Sequence, residues 1–202
     1  MLAYEKEYWE RCGEWVAGVD EVGRGCLFGD VVAAAVILPK GWVCEEINDS
    51  KKLSEKKRES LYDQITEQAV AIGIGCVNAA TIDKINIKQA ARLAMKQAVE
   101  QLACRPHALL VDAEKVDVDI PQLAIIKGDA LSQSIAAASI VAKVTRDRMC
   151  LKWDEQYPEY ELALHKGYAT KRHREALLRY GASPMHRRSF LKGILNEQQQ
   201  LF

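Results

Sequence analysis

Two adjacent carboxylates followed by a glycine-rich turn are the first residues in the chain that could do chemistry. Asp20 and Glu21 lie at the end of an apolar run that begins at Trp15, and the run breaks at residues 23–25. Neighbouring carboxylates repel each other, so a bound cation is the group most able to hold them together. Hard oxygen ligands of this kind suit Mg2+ or Mn2+. The alternative is a glycine-rich hairpin whose charges are solvated.

The turn after these carboxylates is suited to close contact with a ligand. Gly23 and Gly25 let the backbone approach a bound molecule, and Arg24 between them carries a planar guanidinium group that matches phosphate. A second candidate phosphate contact is formed by Ser50 and Lys51, in a charged loop before a predicted helix. For that loop the alternative is a solvated charged turn.

Two further carboxylates follow apolar runs later in the chain. Asp112 ends the run at residues 108–111, and Asp129 stands just beyond the run at residues 123–126. Ligands of open α/β sheets bind at the carboxyl ends of strands, so three strands that each deliver an acid predict one shared cation site. Asp147 is a further acid, but it lies between two arginines late in a predicted helix, where we expect a local ion pair.

The pattern of apolar residues predicts an α/β protein. The expected strands cover residues 15–21, 31–38, 70–77, 108–112 and 123–126, and the expected helices cover residues 2–12, 54–68, 87–102 and 130–149. The first two strands are close enough in sequence to pair as a hairpin. Gly73 and Gly75 indicate that another element packs closely against the third strand.

Composition sets broad limits on partners and compartment. The 202 residues contain 28 basic and 28 acidic side chains, so any affinity for nucleic acid must come from a local basic patch. Six cysteines are scattered without metal-binding spacing, and we expect reduced, mostly buried thiols in a cytoplasmic protein. No apolar run approaches the roughly 20 residues needed to span a bilayer.

The C-terminal part of the chain combines basic and aromatic residues. Residues 165–170 and 183–190 contain histidine, lysine and arginine together with Tyr168 and Phe190. This composition suits a strand of nucleic acid whose sugar packs on a ring while its phosphates contact the cations. The alternative is a surface helix pair with one buried tyrosine.

Taken together and in order, these motifs resemble bacterial ribonuclease HII. The matching stretches are GVDEVGRG at residues 18–25, DSKKL at 49–53, VD at 111–112, KGD at 127–129, AASIVAK at 137–143, HKGY at 165–168 and HRRSF at 186–190. The resemblance spans nearly the whole chain, and no single motif carries it.

The resemblance implies an RNase H-like fold, with a central five-stranded mixed sheet flanked by helices. Residues 1–149 would form the catalytic domain and residues 150–202 a small helical C-terminal extension packed on it. The family's activity is that of an endoribonuclease, which cuts the RNA strand of RNA/DNA hybrids and cleaves on the 5′ side of single ribonucleotides embedded in duplex DNA. Cleavage leaves 5′-phosphate and 3′-hydroxyl ends and removes misincorporated ribonucleotides and RNA primers. We expect a monomer.

The resemblance also assigns roles to residues. The family's catalytic and metal-binding acids, which hold two Mg2+ or Mn2+ ions, correspond to Asp20, Glu21, Asp112 and Asp129. We expect Asp20 to bridge the two ions. The substrate-binding positions, which read the 2′-hydroxyl, contact phosphate and pack on the following sugar, are Gly23, Arg24, Gly25, Ser50, Lys51 and Tyr168. Two rival functions are another nuclease of this fold, such as a resolvase or an ordinary ribonuclease H, and a non-catalytic nucleic-acid-binding module.

Several positions depart from the family's usual sequence. Cys26, Phe28 and Asp30 stand where the family commonly has Pro, Ala and Pro, which adds bulk and a negative charge near the site. Ala113 replaces a glycine after the third acid, and Leu131 replaces a basic residue two positions after the fourth. The sequence alone leaves open the shape of the loop after the turn, and it predicts one weaker electrostatic contact at Leu131.

The end of the chain carries a separate resemblance. Gln198, Leu201 and Phe202 match the short peptide by which many bacterial replication and repair proteins dock on the sliding clamp. In such a peptide the two apolar side chains enter a pocket and the glutamine fixes the register. The alternative is that Leu201 and Phe202 fold back onto the C-terminal helices, since large apolar side chains are seldom left exposed in a monomer.

Overall fold

The computed structural model describes residues 1–47, 50 and 53–199. Its strands are β1 (Val16–Val22), β2 (Val31–Ile37), β3 (Ala71–Val77), β4 (Ala108–Asp112) and β5 (Gln122–Ile125). Its helices are α1 (Ala3–Arg11), α2 (Glu55–Gln68), α3 (Ala79–Ile85), α4 (Ile87–Glu100), α5 (Gly128–Leu131), α6 (Gln133–Gln156), α7 (Leu162–His165), α8 (Lys171–Tyr180) and α9 (Arg188–Gln199), with a 3₁₀ turn at Pro158–Tyr160.

The five strands form one mixed sheet in the order β3-β2-β1-β4-β5. β1 pairs antiparallel with β2, which pairs antiparallel with β3, whereas the β1–β4 and β4–β5 pairs are parallel. The predicted hairpin of the first two strands is confirmed, and so is the expected five-stranded mixed sheet flanked by helices. Because β1 and β4 run in the same direction, their carboxyl ends lie side by side.

Helices cover both faces of the sheet, because successive side chains of a strand point to opposite faces. In β2, Ala33, Ala35 and Ile37 pack with residues of α4, while Ala34 and Val36 pack with residues of α2 and α6. All residues of β2 are buried. A continuous apolar run is what a central strand between two layers requires.

Glycines let the helices approach the sheet closely. A Cβ atom added at Gly73 or Gly75 would lie 2.0 Å from a carbonyl oxygen of α4, which confirms the close packing predicted there. A Cβ atom at Gly18 would lie 2.0 Å from the carbonyl carbon of Ser134 in α6. This contact presses the start of α6 against β1 two residues before Asp20, so it helps to set the position of that acid.

The helix expected at residues 130–149 differs from the structure at both ends. Two helices are present, because Ser132 has an extended backbone and its side-chain oxygen accepts a hydrogen bond from the N–H of Ile135. This N-cap starts a new helix, and α6 then continues to Gln156. The boundary expected between residues 149 and 150 therefore falls inside α6, and the division into a catalytic domain and an extension stays a prediction.

Asp147 on α6 forms the local ion pair that its sequence context predicts, although not with its flanking arginines. Lys143, one turn earlier, lies 2.6 Å from Asp147 Oδ1, and Arg58 of α2 lies 3.9 Å from Oδ2. Asp147 is buried. Its charge is thus matched by cations from two helices.

The cysteines are all free, as expected. The expectation that most of them are buried is wrong, since only Cys26 and Cys150 are buried and Cys76 is exposed. Cys76 stands near the end of the edge strand β3. In the described part of the chain, no helix is both long and apolar enough to cross a membrane.

Candidate active site

Three acids meet where the parallel strands β1 and β4 end. Val19 is paired with Val111, so the residues that follow, Asp20 and Asp112, lie at the same level on neighbouring strands. Asp20 is only 5% exposed. Burial, followed by the charges of Glu21 and Asp112, raises the pKa of Asp20 well above its usual value. The backbone N–H of Glu21 donates to Asp20 Oδ1 at 2.7 Å and so fixes its orientation.

Glu21 keeps one carboxylate oxygen without a partner. Arg24 Nη1 lies 3.1 Å from Glu21 Oε1, whereas Oε2 is buried and makes no hydrogen bond. Burial raises the pKa of Glu21, and Arg24 partly offsets that effect. Glu114, which no motif singles out, lies 3.9 Å from Arg24 and 2.9 Å from Arg92. Its only signal in the sequence is its position two residues after Asp112.

Asp129 lies in the short helix α5, which begins beside Asp112, and not directly at the end of a strand as expected. β5 ends at Ile125, and Lys127 then adopts a left-handed conformation, with φ 57° and ψ 42°, that turns the chain into α5. The N–H of Gly128 donates to Asp112 Oδ1 at 2.7 Å. This bond anchors the first turn of α5 to β4, and the next residue, Asp129, is buried there. A left-handed backbone conformation is uncommon for lysine, and no feature of the sequence predicts it here.

Two buried arginines hold the backbone of the turn at residues 23–25 and of the segment after it. Arg187 donates to the carbonyl oxygens of Gly23, Arg24 and Gly29 at 2.7, 3.0 and 2.9 Å. Arg146 donates to the carbonyl oxygens of Asp30, Phe28 and Lys166 at 3.0, 3.0 and 2.8 Å. The expectation that the basic run at residues 186–188 faces nucleic acid is therefore wrong for Arg187, which is fully buried and bonded to backbone.

The unusual residues after the turn are accommodated away from the carboxylates. Phe28 is fully buried, and its ring lies 5.8 Å from the ring of Trp153 and 4.7 Å from that of His186. Its bulk thus fills the C-terminal core. Burial raises the pKa of Asp30, and the two buried arginines act in the opposite direction.

The departures beside the third and fourth acids have separate consequences. Ala113 adopts a positive φ of 51°, a conformation that glycine takes more easily, which accounts for the usual glycine at this position. Leu131 is exposed on α5. Neither replacement changes any of the four acidic residues themselves.

Tyr168 lies beside the turn, on the loop that follows α7. The N–H of Leu27 donates to the carbonyl oxygen of Gly167 at 2.8 Å, which ties this loop to the segment after the turn. Tyr168 is 41% exposed, whereas Tyr160 of the same C-terminal segment is buried. The loop and the turn therefore form one continuous surface beside the acids.

The two candidate phosphate contacts before α2 stay predictions. Ser50 is buried, and its hydroxyl lies 2.9 Å from Ser139 Oγ, which hydrogen-bonds to Asp20. Ser50 is thus connected to the acids through Ser139. Lys51 lies outside the described residues.

Two buried histidines contact each other behind Tyr168. His173 Nε2 lies 3.1 Å from His186 Nε2, and the ring of His165 stacks on His173 with centroids 4.5 Å apart. The ring of Tyr160 packs 4.7 Å from that of His186. Burial lowers the pKa of His173 to about 4 and that of His186 to about 3, and an adjacent imidazole adds to each effect. Both side chains are therefore neutral at pH 7.

The carboxylates fit a divalent cation in the type of donor atom that they supply. Hard oxygen ligands come from Asp20, Glu21, Asp112 and Asp129, and the unpartnered Oε2 of Glu21 is a free acceptor. Within residues 1–47, 50 and 53–199, no group of three or more Asp, Glu, His or Cys side chains is already arranged around a metal position. Glu21 and Asp112 instead bond to an arginine and to a backbone N–H.

Comparison with known proteins identifies similar sequences and structures. The family model described as Ribonuclease HII matches residues 17–192. Ribonuclease HII of Alkaliphilus metalliredigens is 60% identical over 200 residues, which cover 96% of this chain and 98% of that protein. Ribonuclease H2 from Pyrococcus horikoshii OT3 has a TM-score of 0.76 and 25% identity, covering 92% of this chain and 99% of that one.

Two further solved structures share the architecture. RNase HII from Archaeoglobus fulgidus, solved in a complex with PCNA, has a TM-score of 0.70 and 26% identity, covering 86% of this chain and 93% of that one. Bst-RNase HIII, solved in complex with Mn2+, has a TM-score of 0.75 and 17% identity, covering 95% of this chain and 72% of that one. The latter likeness concerns the fold.

The buried histidines predict a loss of stability in mild acid. Between the usual histidine pKa of 6.5 and the lowered values of about 4 and about 3, the unfolded chain binds protons that the folded chain does not. The free energy of unfolding should therefore fall as the pH falls through this window, by up to ~1.4 kcal/mol per pH unit for each histidine. Urea unfolding at pH 7, 6 and 5 measures this slope.

The control for this measurement is the double variant His173→Asn/His186→Gln, which has no imidazole at either position. Its slope should be shallower than that of the wild-type protein, because carboxylates contribute equally to both. Identical slopes would show that these histidines do not titrate as the structure requires.

Proposed function

Because the chain belongs to the ribonuclease HII family of endoribonucleases, we propose that it cuts the RNA strand of RNA/DNA hybrids and cleaves on the 5′ side of single ribonucleotides embedded in duplex DNA. The observation that carries this proposal is the strand pairing that sets Asp20 and Asp112 side by side at the ends of β1 and β4, with α5, which contains Asp129, beginning against Asp112. These strand ends adjoin a glycine turn and an exposed tyrosine. The proposed role is removal of misincorporated ribonucleotides and RNA primers.

The proposed catalytic residues are the four acids, which would hold Mg2+ or Mn2+. Bound divalent cations would supply a nucleophilic water at neutral pH and stabilise the leaving 3′ oxygen. The chain's contribution is to fix the ligands beforehand: Asp20 is oriented by the N–H of Glu21, and Asp112 by the N–H of Gly128. The raised pKa of Asp20 supports this role, because a nearby cation favours the ionised form of a crowded, buried carboxylate.

The proposed substrate contacts lie on the surface formed by the turn and the tyrosine loop. A Cβ atom added at Gly25 would have no heavy atom within 4 Å, so a ribose can approach this backbone from the open side. Gly23, Arg24 and Gly25 would detect the 2′-hydroxyl, the group that distinguishes RNA from DNA. Tyr168 would pack on the sugar that follows. Ser50 and Lys51 would contact phosphate.

The test is cleavage of a duplex that carries one ribonucleotide, with Mg2+ or Mn2+, followed by mapping of the cut. We expect cutting on the 5′ side of the ribonucleotide by the wild-type protein. Asp112→Asn should lose activity by orders of magnitude while still binding the duplex, since a neutral amide is a poor ligand for a dication.

The matched control is Asp117→Asn, which neutralises an acid that is 95% exposed and paired only at the surface with Lys96. This variant should cut at the wild-type rate. Near-wild-type cleavage by Asp112→Asn would contradict the assignment of the acids. Cutting of long hybrids without cutting at a single ribonucleotide would instead indicate an ordinary ribonuclease H. Binding of the duplex without any cleavage would indicate a non-catalytic module.

We further propose that the C-terminal tail docks on a sliding clamp through Gln198, Leu201 and Phe202. Leu201 and Phe202 lie outside the described residues, as does the side chain of Gln198. Support comes from the peptide resemblance and from the Archaeoglobus fulgidus relative, which was solved in a complex with PCNA. So short a peptide should bind with a micromolar Kd, which corresponds to a binding free energy of about −8 kcal/mol.

Titration of purified bacterial clamp with the full-length protein measures this affinity. Leu201→Ala/Phe202→Ala should abolish binding, because the apolar anchors of such a contact supply most of its energy. Replacement of the neighbouring Gln199 by Ala is the control and should bind like the wild type. Equal affinity of wild-type and double-variant proteins would reject docking.

A further inference from the structure

A chain of hydrogen bonds runs from the C-terminal segment to the backbone of the proposed sugar-packing tyrosine. The N–H of Ser183 donates to His186 Nδ1 at 3.0 Å. His186 Nε2 lies 3.1 Å from His173 Nε2, and His173 Nδ1 lies 2.9 Å from the carbonyl oxygen of Tyr168. The two histidines are buried, and His186 Nδ1 also lies 2.9 Å from the hydroxyl oxygen of Ser183.

The first bond of this chain determines the tautomer of each histidine. A backbone N–H can only donate, so His186 Nδ1 is unprotonated and the neutral ring carries its proton on Nε2. That proton is donated to His173 Nε2, which must accept it. The proton of neutral His173 therefore resides on Nδ1, where it is donated to the carbonyl oxygen of Tyr168. Every atom in the chain has one consistent role.

The loop that carries Tyr168 depends on such bonds for its shape. Lys166 and Gly167 have positive φ values of 52° and 82°, so no helix or strand supports this segment. Within the loop, the N–H of Gly167 donates to His165 Nδ1 and the N–H of Thr170 donates to the carbonyl oxygen of Tyr168. His173 supplies the contact from a neighbouring helix, α8.

The opposite side of the same loop is tied to the segment that follows the glycine turn. Arg146 donates to the carbonyl oxygens of both Lys166 and Phe28, and Leu27 donates to Gly167. One side of the loop is bound to the segment after the turn and the other side to His173, so the position of Tyr168 relative to the glycine turn is constrained from both directions.

We propose that His173, oriented by His186, is a positioning residue that determines how strongly the protein prefers a single embedded ribonucleotide to a long hybrid. This inference rests on the proposed function. A single ribonucleotide offers one productive register, in which the turn and the tyrosine must both fit. A long hybrid offers many registers, so a displaced Tyr168 costs less there. Positional errors of about 1 Å are enough to lower the rate of an oriented reaction.

Substitution of each histidine by Asn or by Gln distinguishes this positioning role from a general structural one, because the two amides place their N–H groups differently. Asn at position 173 places an amide N–H near the former Nδ1 and keeps the donor to Tyr168, whereas Gln at this position places its amide near the former Nε2 and loses that donor. At position 186 the choice is reversed, since Gln keeps the donor to His173 and Asn loses it. Each position thus has a retaining and a disrupting variant of similar polarity.

The experiment measures kcat and KM of the full-length protein on a single-ribonucleotide duplex and on a long hybrid. We expect His173→Gln and His186→Asn to lower the ratio of kcat/KM between the two substrates by about 3- to 10-fold, the scale of one hydrogen bond. His173→Asn and His186→Gln should stay closer to the wild-type ratio. The control is His107→Asn, at an exposed histidine that precedes β4, at the opposite end of that strand from Asp112, and accepts from the N–H of Trp15; it should not change the ratio.

The outcomes distinguish this inference from the function on which it rests. If the wild-type protein cuts neither substrate, the proposed function fails and the inference fails with it. If the wild-type protein prefers the single ribonucleotide and all four variants keep that ratio, only the inference is overturned. Equal losses on both substrates in the disrupting variants would indicate a structural role and would also overturn it.

Discussion

Repulsion among buried carboxylates is the constraint on which the rest of the structure depends. Asp20 is almost inaccessible to solvent and lies beside Glu21 and Asp112, and burial together with these charges opposes its ionisation. Such a cluster is unfavourable in the absence of cations, so the surrounding fold must hold it in place. The parallel pairing of β1 with β4, the close contact of Gly18 with α6 and the bond from Gly128 to Asp112 do so.

A second group of buried charges organises the surface beside the acids. Arg146 and Arg187 donate to carbonyl oxygens of the glycine turn, of the segment after it and of the tyrosine loop. Buried guanidinium groups are costly unless their donors are satisfied. The irregular backbone supplies acceptors to both arginines, while Nη2 of Arg187 is buried without a partner. The C-terminal segment is therefore the support on which the proposed substrate contacts are assembled, although it supplies none of the four acids.

Much of this arrangement could be predicted from the sequence, because it follows local patterns. The apolar runs predicted the strands and the hairpin, and Gly73 and Gly75 predicted close packing. What could not be predicted depends on distant contacts or uncommon backbone conformations. Lys127 is left-handed and turns the chain into α5, the helix that contains Asp129. Arg187 lies in a basic run typical of a nucleic-acid surface, yet it is fully buried. A sequence pattern indicates charge but not the carbonyl groups that will surround it.

The most direct test of this account is the stability of the full chain with and without Mg2+ or Mn2+. Without divalent cations, Asp20→Asn should have a higher free energy of unfolding than the wild type, because the variant removes one repelling charge. Cations should then stabilise the wild type, by about 2.7 kcal/mol at a hundredfold excess over Kd, and the variant far less. Asp117→Asn should behave like the wild type in both conditions. An equal cation effect in Asp20→Asn and wild type, or a less stable Asp20→Asn without cations, would contradict the account.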